Sequence, residues 1–329
     1  MKNRTIWKPA ALCALIALFM VFAAASGSSS GTSSTTTTTT TQSAQYEPVE
    51  EAEEAEEAEP VMQDAYYVGD TLQVGGLKLV YVASGVYESD NEFLQPESGY
   101  HYIYLKFAAE NTGSGSEGVS FYDFEAYADG YSVEQFYGND DELSATLSPG
   151  HSTEGCVCFT VPDDAQEIEI EYEINMFTDE KAIFVYEGEA DSGYVTETEA
   201  VVSDDALSVG ESVDAGDLRV TYVACEEYVS DNMFVEPAAG CHYMSLTLEF
   251  ENIGSDDEYV SSMTDFNCYA DGAACEQTFI RDDDLSATLS AGRKASGTVT
   301  FEVPDGASVV EVEYTPNMFL SEYIVFTVE

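Results

Sequence analysis

Residues 168–172 read Ile-Glu-Ile-Glu-Tyr, apolar and acidic in alternation. A period of two places every second side chain on one face, which predicts a half-buried β-strand. The same signal recurs over Leu77–Ala83 and Tyr100–Phe107. It returns at Val157, Phe159 and Val161 and again over Ile183–Tyr186. Phe121–Ala128 and Tyr131–Phe136 flank Asp129-Gly130, and Asp-Gly between β-rich runs is a strong short-range hairpin signal. Gly69-Asp70, Gly75-Gly76 and Asn111-Thr112-Gly113 punctuate the strands as turns. No segment beyond the N-terminus carries a helical period.

The pattern occurs twice. Leu143-Ser-Ala-Thr-Leu-Ser-Pro-Gly150, followed by Phe159-Thr-Val-Pro-Asp163, returns as Leu285-Ser-Ala-Thr-Leu-Ser-Ala-Gly292 and Phe301-Glu-Val-Pro-Asp305. Val209-Gly210 repeats Val68-Gly69, and Leu218 and Tyr222 repeat Leu77 and Tyr81. Ser230-Asp231-Asn232 with Phe234 repeats Ser89-Asp90-Asn91 with Phe93. Asn317-Met318-Phe319 repeats Asn175-Met176-Phe177. About eight short strands per ~120 residues predict an all-β fold of two tandem immunoglobulin-like β-sandwich domains. They are expected over 66–187 and 206–329, joined by a linker of Gly, Ser, Thr and acid over 188–205. That linker has few large apolar residues, so the two modules are expected to unfold nearly independently.

Several marks of the repeat carry a family resemblance. They are Val209-Gly210-Glu211, Gly216-Asp217-Leu218, and Gly240 with His242-Tyr243 leading into Asn252-x-Gly254. Asp271-Gly272, Leu289-Ser-Ala-Gly292, Phe301-Glu-Val-Pro304 and the matching positions of the first module complete the set. Each repeat resembles the bacterial domain of unknown function 4352, an immunoglobulin-like domain of lipoproteins and secreted proteins. The resemblance implies a sandwich at the cell exterior and no agreed activity. Proteins of this kind often begin with a lipidated Cys followed by Gly and a Ser-rich tether. Here Ser26 stands at that place, and serine cannot carry a thioether lipid.

The N-terminus reads as an export signal. Lys2, Arg4 and Lys8 precede an apolar run from Ala10 to Ala25, shorter than the ~20 residues a span needs. Ala23-Ala24-Ala25 offers a cleavage site, with an uncleaved signal anchor as the alternative over 1–25. Residues 26–65, Ser/Thr-rich and then Glu/Ala-rich, cannot bury apolar side chains and are expected to form a disordered tether.

The formal net charge is −53, from 10 Lys and Arg against 63 Asp and Glu. This acidic, solubilising balance opposes nucleic-acid binding, which needs cations to displace counterions from phosphates. It equally opposes anionic membrane surfaces, leaving no membrane contact beyond an uncleaved anchor.

Candidate chemistry is sparse. The histidines are His101 and His242 at equivalent strand starts and His151 beside a loop glycine. None has a nucleophile beside it in sequence, so no catalytic constellation is assigned and no cofactor is expected. Asp140, Asp141 and Glu142, and Asp282, Asp283 and Asp284, occupy matching loops. They are the weak candidates for calcium, without the spacing of a helix-loop-helix site. Cys156 and Cys158 lie two apart on a strand whose inward set is Val157, Phe159 and Val161, so both thiols are expected to face outward. Export permits disulfides. Cys268 and Cys275 flank Asp271-Gly272, and the two-residue turn sets them face to face. That leaves Cys225 and Cys241, at the two ends of the loop 226–240, as the second expected pair, and the competing pairing crosses these partners.

These features predict an exported, cell-surface or secreted bacterial protein. Its two modules would serve a non-catalytic binding or interaction role toward an extracellular or envelope partner. The alternative is a structural spacer or envelope-stabilising protein without a specific ligand.

Overall fold

The computed structural model describes residues 65–329 apart from 90, 140, 175–179, 197, 199–202, 204–205, 233–234, 317–322 and 329. The segments expected to be an export signal, 1–25, and a tether, 26–65, lie outside the described residues except for residue 65. So do Asp90, Asp140, Phe234 and the two Asn-Met-Phe segments. Among the described residues, no helix is long and apolar enough to cross a membrane.

The first module contains β1 (Thr71–Val74), β2 (Leu77–Tyr87), β3 (Tyr100–Asn111), β4 (Glu117–Ser120), β5 (Phe124–Ala128) and β6 (Tyr131–Gln135). It continues with β7 (Ser144–Leu147), β8 (Ser152–Pro162), β9 (Ile168–Glu173), β10 (Lys181–Val185) and β11 (Ala190–Asp191). The second contains β12 (Ser212–Ala215), β13 (Leu218–Tyr228), β14 (Cys241–Asn252), β15 (Glu258–Ser261), β16 (Phe266–Ala270) and β17 (Ala273–Ala274). It closes with β18 (Glu276–Thr278), β19 (Ser286–Leu289), β20 (Lys294–Pro304), β21 (Val310–Tyr314) and β22 (Ile324–Val328).

Each module is a β-sandwich. In the first, β1-β2-β3-β8 face β10-β9-β5-β6. In the second, β12-β13-β14-β20-β18 face β17-β16-β21-β22. Strand β6 pairs with β5 through Ala126–Ala128 and then with β8 through Glu134 and Gln135, so it crosses from one sheet to the other. In the second module that crossing is split at Cys275 into β17 and β18.

The alternation in the sequence is the cause of the layering. Tyr81, Phe107, Phe124 and Phe184 meet in one core, with Tyr81 and Phe107 stacked at 5.2 Å. Tyr222, Phe250, Tyr314 and Phe326 form the other. Both Asp-Gly hairpins form as expected. Asp129 and Asp271 adopt φ of 50° and 49°, and Gly130 and Gly272 follow at 79° and 88°. Two successive left-handed residues match the twist of the flanking strands.

The alternation breaks where β2 and β13 carry a bulge, after Tyr81 and after Tyr222. Val80 before the bulge, Val82 in it and Ala83 after it form a small outer cluster with Ala108, against which Tyr104 and Tyr194 pack. Strand β11 pairs with Ala83 and Ser84, and Ser192 N–H donates to the Val82 carbonyl at 2.9 Å. The first residues of the expected linker are therefore part of module 1, because they cover apolar side chains the bulge turned outward.

Candidate functional site

Among the described residues, two places bring chemistry-bearing side chains together. One is the junction of the modules, and the other is an aromatic cluster at one end of module 1.

At the junction, Tyr269 of β16 is 2% exposed and belongs to the core cluster of module 1. Its hydroxyl donates to the Thr146 carbonyl at 2.9 Å and accepts from Ser148 N–H at 2.9 Å. Its ring lies on that of His151, centroids 3.7 Å apart. The Ser148 hydroxyl donates to the Glu313 carboxylate. Gly272 accepts from Ser152 N–H at 3.1 Å, and β17 and β8 make a parallel bridge between Ala273 and Ser152. These contacts couple the two modules, where the sequence led us to expect few contacts between them. The segment after β7 is a socket for the outer face of β16 and β21.

Burial without charge compensation sets the electrostatics of the junction. Glu313 is 2% exposed, and desolvation pushes its carboxyl up to about 7, against a hydrogen bond from Ser148 that works downward. Burial pushes His151 below its ordinary range, and neither ring nitrogen has a partner among the described residues. Beside them is a cleft of about 330 Å³ lined by Ser152, Glu154, Thr196, Thr198, Ala273 and Ala274. The Ser152 hydroxyl is buried there without a partner among the described residues.

At the end of module 1, Phe136 lies against Tyr102, centroids 4.0 Å apart, and Tyr87, at 5.6 Å. Tyr122 and Tyr137 are 6.0 Å apart, and both are exposed. Phe93, 73% exposed, is on the loop after β2. The positions of Tyr122 and Tyr137 are Met263 and Phe279 in module 2, and these are exposed as well.

Asp140 apart, which lies outside the described residues, the candidate acids do not converge. Among the described residues, no three His, Cys, Asp or Glu side chains are placed to hold a metal ion. Asp283 is held by Arg281, whose guanidinium pairs with it at 2.9 Å and lowers its carboxyl, and it accepts from Thr298 Oγ1 at 3.1 Å. Burial raises Glu142 and Asp284. Asp141 and Asp282 remain exposed loop residues. The histidines serve as strand anchors. His101 Nδ1 lies 3.1 Å from Asp163, and His242 Nδ1 lies 3.0 Å from Asp305.

The cysteines depart from expectation in two ways. Cys158 does point away from the Val157–Phe159–Val161 side, but it is 1% exposed. The segment after β6 folds over it. Phe136 N–H donates to the Cys158 carbonyl at 2.8 Å, and Cys156 N–H donates to the Asp141 carbonyl at 2.6 Å. Burial pushes both thiols up, Cys156 to about 11, so neither is a ready thiolate.

No disulfide is formed among the described cysteines. The Cys225–Cys241 pairing is excluded by register. Cys225 lies opposite Leu246, whereas Cys241 lies opposite Pro304. At ~3.3 Å per strand residue the two are about 16 Å apart, far beyond the roughly 7 Å that a disulfide tolerates. Instead the Cys225 thiol donates to Met244 Sδ at 3.4 Å. Cys268 and Cys275 do face each other, with Cys275 N–H donating to the Cys268 carbonyl at 2.8 Å. Burial, then the adjoining Cys275 and Cys225, hold the Cys268 thiol protonated.

Sequence reasoning missed the work of two asparagines. Asn111 is fully buried and donates to the carbonyls of Gly115, at 2.7 Å, and Leu147, at 2.6 Å. It accepts from Gly113 N–H at 2.9 Å. Asn252 does the same toward Asp256, Leu289 and Gly254. The repeated Asn-x-Gly was the available signal. It reads as a strand end and is also the clamp that fixes the segment after β7 and after β19.

Among solved structures, YcdA of Bacillus subtilis, provisionally described as a lipoprotein, is 18% identical with a TM-score of 0.32. The match covers 36% of this chain and 38% of that one, so the chain spans well under half of that protein's length. MPT63, a secreted protein of Mycobacterium tuberculosis, is 16% identical, with a TM-score of 0.29, over 38% of this chain and 99% of that one. A β-sandwich protein of Clostridium difficile is 12% identical, with a TM-score of 0.26, over 43% and 100%. No curated protein matches the chain. The model of one family matches twice, over 66–183 and 207–325, and the chain accordingly belongs to the family of the domain of unknown function DUF4352, as a tandem of two such domains.

Proposed function

We propose that this is an exported, non-catalytic binding protein of the bacterial exterior, in which a sandwich end presents a recognition surface. The observation that carries the reading is the exposed ring pair Tyr122–Tyr137, joined in the chain through Phe136 to the packed Tyr87–Phe136–Tyr102 stack, with Phe93 exposed on the loop after β2. Aromatic side chains supply large, rigid contact area at low entropic cost and are enriched where proteins bind partners. A monomer gains nothing in stability from leaving such rings in water.

Export is supported by the basic and apolar N-terminus, and the acidic surface favours a partner that is neither nucleic acid nor anionic membrane. The non-catalytic reading rests on what holds the histidines: His101 pairs with Asp163, His242 with Asp305, and His151 is buried under the Tyr269 ring. Pull-down from envelope extract tests the proposal. A partner retained by the wild type and lost by the Phe93→Ser/Tyr122→Ser/Tyr137→Ser variant is expected. Nothing above background would favour the spacer. Cleavage near Ala25 would remove Trp7, the only tryptophan, so exported protein with indole fluorescence would favour an anchor instead.

A further inference from the structure

The junction between the modules is head-to-tail, and among the described residues the internal repeat leaves one copy of each half uncovered. In the socket of module 1, Ser148, His151 and Ser152 are buried by module 2. The same segment of module 2 is Ser290-Ala291-Gly292-Arg293-Lys294, and all five residues are exposed. Its backbone is built alike. Gly150 N–H bonds the Asn111 carbonyl at 2.8 Å and Gly292 N–H bonds that of Asn252 at 2.9 Å, both with positive φ.

The docking face is repeated as well. Tyr269 lies opposite Glu311 in the β16–β21 register, with Glu313 two positions along. In module 1, Tyr127 lies opposite Glu169 in the β5–β9 register, with Glu171 two positions along. Tyr269, Glu311 and Glu313 are buried, whereas Tyr127, Glu169 and Glu171 are half-exposed.

We propose that a second copy of this chain docks here: the Tyr127 face of one molecule seats on the Ser290–Lys294 socket of the next. The occupant follows from continuity with the internal junction and from charge. The residue under the tyrosine ring changes from His151 to Arg293, and the bridge partner changes from Ser152 to Lys294. Opposite them stand Tyr127 and, in place of Ala273, Tyr131. A cation then meets an aromatic ring at both places. Arg293 makes no ion pair with any described residue, and neither does Glu169 beside Tyr127. Glu171 is held by Lys181 at 2.6 Å, and Lys294 by Glu249 and Glu251 at 2.9 and 3.2 Å.

A heterologous contact that repeats without closing builds a linear chain of molecules. This surface is separate from the aromatic end, so the two proposals fail independently.

The test is sedimentation of the full exported chain at physiological ionic strength, where the long-range repulsion of so acidic a molecule is screened beyond about 8 Å. The weight-average mass is expected to rise with concentration past the dimer. Arg293→Glu and Tyr127→Arg should each weaken association at least about tenfold. Glu169→Arg provides a second variant of the face, in case Tyr127→Arg fails to fold. An equal mixture of Arg293→Glu and Tyr127→Glu chains should form dimers and nothing larger, since each supplies the half that the other lacks and the two altered ends carry like charge. A monomer at every concentration, a plateau at the dimer for the wild type, or growth unchanged by both variants would overturn the proposal.

Discussion

Tyr269, a residue of module 2, donates its hydroxyl to the carbonyl of Thr146 in module 1 at 2.9 Å, inside the core of the neighbouring sandwich. The two modules are thereby one folding problem. Removing the ring leaves a cavity and two unmet backbone groups. Tyr269→Ala is expected to lower stability by about 3–5 kcal/mol. Calorimetry should show one transition for the wild type and two for the variant. Two well-separated transitions in the wild type would contradict the coupling.

Glu313 gives the junction a pH dependence with a defined sign. Its carboxyl titrates at about 7 in the fold against an ordinary 4.5, so between those values the folded state holds a proton that the unfolded state has lost. Stability from this group therefore falls as pH rises from 4.5 to 7. Glu313→Gln should gain on the order of 2–3 kcal/mol over the wild type at and above neutral pH, and the gain should vanish near pH 4.5. His151 runs the other way, since burial lowers its pKa and stability from it is lost as pH falls below about 6.5. It is common to both proteins, so melting temperature against pH for the pair isolates Glu313. A gain that does not change with pH would rule out its titration.

The cysteine geometry separates two pairings. Cys268 and Cys275 occupy a hydrogen-bonded cross-strand site, where Cα atoms lie about 5.5 Å apart, within disulfide range. Mild oxidation is expected to join them and to leave Cys241 unlinked. Non-reducing peptide mapping reads this directly, and a Cys225–Cys241 peptide would mean that the β13–β14 register is wrong.

Asn111→Ala removes three hydrogen bonds from a fully buried site and strands the carbonyls of Gly115 and Leu147. A loss of about 3 kcal/mol is expected in chemical denaturation. Because the clamp positions the socket, the loss should exceed that of Asn252→Ala, whose segment carries no second module. Equal losses would detach the clamp from the junction.

Gly155 is the narrowest point of β8. A Cβ there would sit 2.5 Å from the Leu143 backbone, and at the equivalent Gly297 it would sit 2.7 Å from Leu285. Gly155→Ala should cost about 1–3 kcal/mol by forcing the backbone apart, against a near-neutral Gly115→Ala, where nothing lies within 4 Å. A melting temperature unchanged by Gly155→Ala would refute the contact.

Much of this protein was determined by short-range sequence alone. The tandem repeat, the inward faces of β2, β8 and β9, and the hairpin register at Asp129-Gly130 and Asp271-Gly272 all follow from alternation and turn chemistry. Those signals act over a few residues, so they are legible locally. What becomes of an outward-facing position is not. Tyr127 and Tyr269 occupy the same place in the same pattern, yet one is half-exposed and the other is buried in another module. Cys158 points outward and is sealed by the segment after β6. Cys225 was expected to end its strand, but β13 runs on to Tyr228, which sets Cys225 opposite Leu246, away from Cys241. Burial and distance of this kind depend on which surface arrives from elsewhere in the chain, and only the tertiary structure brings it there.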